Sequence, residues 1–286
     1  MTTRVRTISL KEAYEVCNNK NSIEIALKEF IEADNFYVYV AGLNRPHIKK
    51  LFIAEDMDIM ELQGYVFLFE CSDKNKTYHY IPFFKVAAEE VLEDILFQIT
   101  EYCEQGKLEI FFPKNKNSNS LINTLEIFGF EELQYVFKKL AKNGSRNFPD
   151  VALEKKVAST EILEKSRLTP LIYSSFDYLL PSGNKNKLMI EAYKTDKLKK
   201  ECIAAIYFHV DEELKNIFIR SYYENEELSQ DTRKVVLNSI LAFLRQKRNF
   251  KKYHCYTMIP ECDSDAIEIF QDVNFTLKGY SMTIYL

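Results

Sequence analysis

The chain has 286 residues, enough for about two domains of ordinary size. Hydrophobic residues make up 47% and charged residues 28%, so a sizeable core is expected and disorder of the whole chain is excluded. The net charge of −4 argues against general nucleic-acid binding, which needs a basic domain. The six cysteines (17, 71, 103, 202, 255 and 262) form no CxxC pair and have no metal-ligand spacing with the four histidines. They read as reduced residues of a cytoplasmic protein that holds no metal. The opening "MTTRVRTISLKEAYEV" has no apolar stretch of signal length, and no apolar run reaches the roughly 18 residues of a membrane span.

In chain order, "TRVRTIS" reads as a strand, followed by helical "LKEAYEVCNN" and "SIEIALKEFIEAD", the second with Ser22 as its cap. "NFYVYVAG", "GYVFLFECSD" and "TYHYIPFF" read as strands. "GLNRPH" is a turn and not a phosphate loop, because no strand-to-helix step follows it. Val91, Leu92, Ile95, Leu96 and Ile99 then form one helix face. After the strand "LEIFF" comes a second helix through Leu121, Leu125 and Phe128, and then a strand in which Tyr135 and Phe137 alternate. "AKNGSRNFPD", with Gly144 and Pro149, marks a domain boundary.

The second half opens on "VALEKKVAST" and passes through helical "TEILEKSRLTPLIYSSFDYLLP" to strands "LMIEAYKT", "CIAAIYFHV" and "NIFIRSYY". Its next helix face is Val236, Leu237, Ile240, Leu241 and Leu244, each 145 residues after its counterpart in the first half. In the same register "LEIFF" falls on "YHCYT", and Phe130 falls on Phe275 (275 − 130 = 145). The basic run "RQKRNFKK" closes that helix, where cations complement the macrodipole. Two helix faces and two strands in one register, without a gap over some fifty residues, make the chain a tandem repeat. The expected fold is α/β (α+β): two domains, 1–145 and 146–286, each a mixed, mostly antiparallel sheet flanked by helices.

The closing unit of each half carries a resemblance. "PECDSDAIEIFQDVNF" resembles the N-x-x-A-x-x-x-Y-x-x-x-G-F segment of the GNAT superfamily of acyl-CoA-dependent N-acyltransferases, with Asp263, Ala266, Phe270, Asn274 and Phe275 in those places. "NSNSLINTLEIFGF" is similar, through Ser118, Leu121, Leu125, Gly129 and Phe130. The resemblance implies two GNAT-like domains and acetyl-CoA, or another acyl-CoA, as cosubstrate. It implies an amine acceptor, on a small molecule or on a protein.

Two positions depart from the family. Its acyl-CoA loop, [QR]-x-x-G-x-[GA], uses bare backbone N–H groups to hold a diphosphate. Here the loop reads "QDTRKV" (230–235) in the second half and "KVAAEE" (85–90) in the first, both without glycine. Arg233 and Lys234 oppose the helix dipole yet attract phosphate, whereas Glu89 and Glu90 repel it. The second half is therefore the expected cofactor domain, with Gln230, Arg233 and Lys234 at the phosphates and Ser221 and Tyr222 on the preceding strand. The second departure is the tyrosine that protonates the leaving thiolate in many members. Phe270 and Leu125 replace it, and neither donates a proton.

Tyr256 or Tyr253 is the candidate replacement acid, although each also reads as a sheet aromatic. Glu224, after "IRSYY", is the candidate base, in a loop where carboxylates are commonly just solvated. His209 and His254 read as structural strand histidines. Three functions fit these residues: an acyl-CoA-dependent N-acyltransferase, a catalytically silent GNAT-like binding protein, and a Fem-type aminoacyltransferase, which the acidic composition disfavours.

Overall fold

The computed structural model describes residues 3–8, 48–58, 61–73, 76–139, 151–156, 187–196, 199–211, 215–224, 228–247 and 253–286. The readings made for "LKEAYEVCNN", "SIEIALKEFIEAD", "NFYVYVAG", "GLNRPH", "AKNGSRNFPD" and "TEILEKSRLTPLIYSSFDYLLP" lie outside these residues. The described chain divides into two compact units. The first gathers Met1–Leu133, Tyr178–Leu180 and Gly279–Leu286, and the second gathers Gln134–Asp177 and Pro181–Lys278.

In the first unit, strands β1 (Thr3–Ile8), β2 (Ile48–Asp56), β3 (Leu62–Asp73), β4 (Lys76–Val86) and β5 (Lys107–Pro113) form neighbours in chain order. All pair antiparallel except β4 and β5, which run parallel around helix α1 (Glu89–Cys103). The strand beyond β5 comes from the end of the chain: β12 (Thr276–Tyr285) pairs antiparallel with β5. The second unit mirrors this arrangement. β7 (Val151–Lys156), β8 (Lys187–Asp196), β9 (Lys199–Asp211), β10 (Asn216–Glu224) and β11 (His254–Pro260) form its sheet, with β10 and β11 parallel around helix α3 (Gln230–Lys247). Its β11 is flanked by β6 (Glu131–Lys139), the closing strand of the first half.

A mixed, mostly antiparallel sheet flanked by helices is thus the architecture of each unit. A division at 145/146 does not delimit the units, because β6 and β12 each complete the other half's sheet. The two strands occupy equivalent places in the repeat, so each satisfies the same backbone edge. β2 is a strand that sequence patterning did not show; "IKKLFIAED" has neither strict alternation nor a purely apolar run.

The helix faces are as expected. Val91, Leu92, Ile95, Leu96 and Ile99 are buried under α1, which packs on β1 to β4. Val236, Leu237, Ile240, Leu241 and Leu244 are buried under α3, which packs on β7 and β8. Each such side chain is worth about 1.5–3 kcal/mol of transfer free energy. The 145-residue register is not gapless, however. His254 lies 147 residues after Lys107, so β5 matches "HCYTMIP" rather than "YHCYT".

Helices α2 (Ser118–Phe128) and α4 (Ser264–Asp272) start 146 residues apart, and the offset is back to 145 at the left-handed residues that follow them, Gly129 and Asn274. The stop is the same device twice. Gly129 (φ 105°) and Asn274 (φ 67°) take the left-handed conformation, and the amides of Phe130 and Phe275 reach back to the carbonyls of Leu125 and Phe270. Ile284 of β12 lies against Gly129, with its Cδ1 3.4 Å from where a Cβ would stand.

The exchange of closing strands is testable at Gly279. A Cβ there would stand 2.4 Å from the Phe112 carbonyl oxygen on β5. Gly279→Val is expected to cost about 1–3 kcal/mol in urea unfolding. Amide exchange should rise in β4 and β5 rather than in β10 and β11, although the substitution lies among the last eight residues. An equal rise in both units would contradict the placement of β12.

Candidate functional site

Each unit has the same opening in its sheet, and its cause is local. β4 and β5 stay paired from Tyr78/Lys107 to Ile81/Ile110, and then separate. β10 and β11 stay paired from Asn216/His254 to Ile219/Thr257, and then separate. At both points the outer strand carries one residue too many. Ile81 and Pro82 oppose the single Leu68 of β3, and Arg220 has no opposite residue on β9. Such a bulge bends its strand, and Pro82, with no N–H to give a ladder, suits that place. Beyond it, β10 remains paired with β9 up to Glu224/Ala204, and β11 with β6 up to Pro260/Gln134. The result is a V between parallel strands.

The expected site residues distribute around the second V as follows. Ser221 and Tyr222 lie on β10 just past the bulge, opposite Tyr207 and Ile206. Glu224 is the last residue of β10 and not a loop residue. Tyr256 is buried one residue before the strands part, between Phe218 and Lys138 in register, and the Lys138 ammonium is 5.3 Å from its ring centroid. His254 is half-buried beside Tyr256, with ring centroids 6.3 Å apart. Ser221, Tyr222 and Glu224 thus follow the parting on β10, whereas Tyr256 precedes it on β11, in register with Phe218.

Gln230, Arg233 and Lys234 stand differently from the expectation. They belong to the first turn and a half of α3 rather than to the loop before it. Ser229 ends that loop. Its hydroxyl lies 2.8 Å from the Thr232 hydroxyl and 3.4 Å from the Thr232 amide, an N-terminal cap of the kind serine makes. Gln230 Nε2 donates to Glu268 Oε1 of α4 at 2.5 Å. Lys234 Nζ pairs with Asp272 Oδ2 of α4 at 2.5 Å, and this hydrogen bond holds the ammonium above its usual pKa. Two of the three residues therefore join α3 to α4.

The start of α1 makes the matching connection. Glu89 Oε2 accepts from Thr124 Oγ1 of α2 at 2.6 Å, and the bonds from Thr124 and Ser120 hold its carboxyl below the usual range. Ala88 gives α1 no side-chain cap.

Phe270 is fully buried, edge-on to Phe275 with centroids 5.1 Å apart, and Leu125 is fully buried as well. Sequence reasoning missed a polar row in the first unit. Lys107 and Glu109 of β5 are buried, in register with Tyr285 and Thr283 of β12, and Lys107 Nζ is 3.8 Å from Glu132 Oε2. The signal was the acid inside "LEIFF", a strand otherwise apolar. Among the described residues, no group of three or more His, Cys, Asp or Glu is arranged to hold a metal. No described helix is long and apolar enough to cross a membrane.

In each unit the parallel strands part where the first of them bulges against its antiparallel neighbour, and a helix follows; this is the tandem GNAT fold. Solved structures agree. A GCN5-related N-acetyltransferase from Sphaerobacter thermophilus superposes with a TM-score of 0.52 at 10% identity, over 98% of this chain and 94% of that one. A tandem GNAT protein from the clavulanic acid biosynthesis pathway superposes with a TM-score of 0.50 at 7% identity, over 99% and 98%. The glucosamine N-acetyltransferase region of a fungal multi-domain β-N-acetylglucosaminidase superposes at 0.52 and 11%, over 99% of this chain and 38% of that one. No family model matches the chain, and no curated protein sequence matches it.

The burial of Phe270 sets a test. Phe270→Tyr adds a hydroxyl where the ring has no exposure, at an expected cost of about 1–3 kcal/mol. The readout is a lower urea midpoint at unchanged m-value. A variant as stable as the parent would show that this space already offers the hydroxyl a partner.

Proposed function

We propose that the protein is an acyl-CoA-dependent N-acyltransferase, with the V of the second unit as its acyl site. The observation that carries this reading is the parting of β10 from β11 after Ile219/Thr257, with β10 continuing to Glu224 along β9 alone. A strand released on one side offers backbone donors and acceptors to an extended amide chain. The arm of acyl-CoA is such a chain, and Ser221 and Tyr222 are the residues that would hold it. The cosubstrate supplies the activated thioester carbonyl. Glu224 takes the proton of the attacking amine, whether of a small molecule or of a protein. Tyr256 gives a proton to the departing sulfur, in place of the tyrosine that Phe270 replaces.

The diphosphate fits less well than the arm. Ser229 already caps α3, and Gln230 and Lys234 are engaged by Glu268 and Asp272. Arg233 and Lys234 are the cations that would carry the phosphate contact. These engagements favour a second reading, a GNAT-like protein that binds a small molecule or a partner without catalysis.

Calorimetric titration with acetyl-CoA and with free CoA separates the two. Under the first reading both ligands bind, and a hundredfold excess over Kd stabilises the fold by about 2.7 kcal/mol. Arg233→Ala should weaken binding about tenfold or more, the loss of one charge-assisted contact, while Lys85→Ala leaves it unchanged. No heat and no melting shift with either ligand would leave the silent reading.

A further inference from the structure

We propose that Lys139, on the closing strand of the first half, is the positioning residue that fixes the start of α3 in the second unit. Lys139 is buried, and its Nζ donates to the carbonyl of Val273, where α4 ends. A cation there complements the negative end of the helix dipole. The same Nζ stands 5.6 Å from the centroid of Phe275, whose ring packs edge-on against Phe270 of α4. Asp272, the residue before Val273, holds Lys234, and Glu268 one turn earlier holds Gln230. The path from β6 to the first turns of α3 thus runs through one helix end, by Lys139, Val273, Asp272 and Lys234.

The repeat shows that the fold does not need a cation at this place. Lys139 is matched 145 residues later by Ile284, which lies apolar against Gly129 at the end of α2. Removing an ammonium from water costs free energy that an isoleucine does not incur. Closing the sheet alone therefore does not account for Lys139. Holding α4 against α3 does.

The functional consequence rests on the acyltransferase reading, but the positioning itself can be measured without any ligand. Amide hydrogen exchange of the full chain is compared for the parent, Lys139→Ile and Lys139→Arg. Isoleucine is the repeat's own residue here, so Lys139→Ile should fold and melt close to the parent. Exchange at 230–235 and 269–273 should nevertheless rise about tenfold or more, as expected for local opening. Lys139→Arg, which keeps the donor and the charge, should restore protection. Where the isoleucine variant does not fold, Lys139→Gln serves, with the same expectation.

Unchanged exchange at 230–235 would overturn the proposal, as would a rise spread evenly over the second unit. If the parent turns over acyl-CoA, Lys139→Ile should raise KM several-fold at unchanged kcat, and an unaltered KM would count against the positioning role. A parent that binds no acyl-CoA removes the acyltransferase reading and leaves the exchange result to decide on Lys139.

Discussion

A strand lies between two neighbours only while its backbone stays straight, and one surplus residue against the outer neighbour bends it away from the inner one. Arg220 does this in β10, and the Ile81–Pro82 pair does it in β4. The bulged strand holds to its outer neighbour and leaves its inner one, which opens the sheet without breaking it. Everything proposed about chemistry depends on that parting. The opening comes from the backbone, so it is present in both units, although "QDTRKV" and "KVAAEE" contain no glycine.

Much of the fold was legible because it rests on periodicity. The faces Val91 to Ile99 and Val236 to Leu244 repeat at helical spacing and are buried as that spacing demands. β2 was not legible, because Lys49, Lys50, Glu55 and Asp56 mask its strand character. The start of α3 was misjudged because α3 has 18 residues where α1 has 15. A register anchored on the buried faces therefore puts 230–235 in a loop. A serine three residues before Thr232 was the available signal for the true start.

The site was legible only in part, for a different reason. Sequence can show that Lys234 and Arg233 carry charge, but not where that charge is spent. Asp272 and Glu268 lie on a separate helix, and their engagement with Lys234 and Gln230 follows from packing of α4 on α3. Strand exchange was hidden by symmetry. β6 and β12 have matching patterns because they are repeats of one strand, so each is compatible with either sheet edge. Patterning identifies the element and leaves its partner open.

The exchange also bears on how the chain is made. β12 leaves the ribosome after every other described strand, yet it belongs to the unit whose other strands emerge first. Until then β5 presents an open edge carrying Phe111 and Phe112, and the strand of matching pattern nearest to hand is β6. Pairing β6 with β5 would give a locally sound sheet and leave β11 without its neighbour, so the two halves compete for one strand during synthesis. Slow or interrupted translation of the second half would lengthen that competition, and with it the time the first sheet stands exposed to other chains.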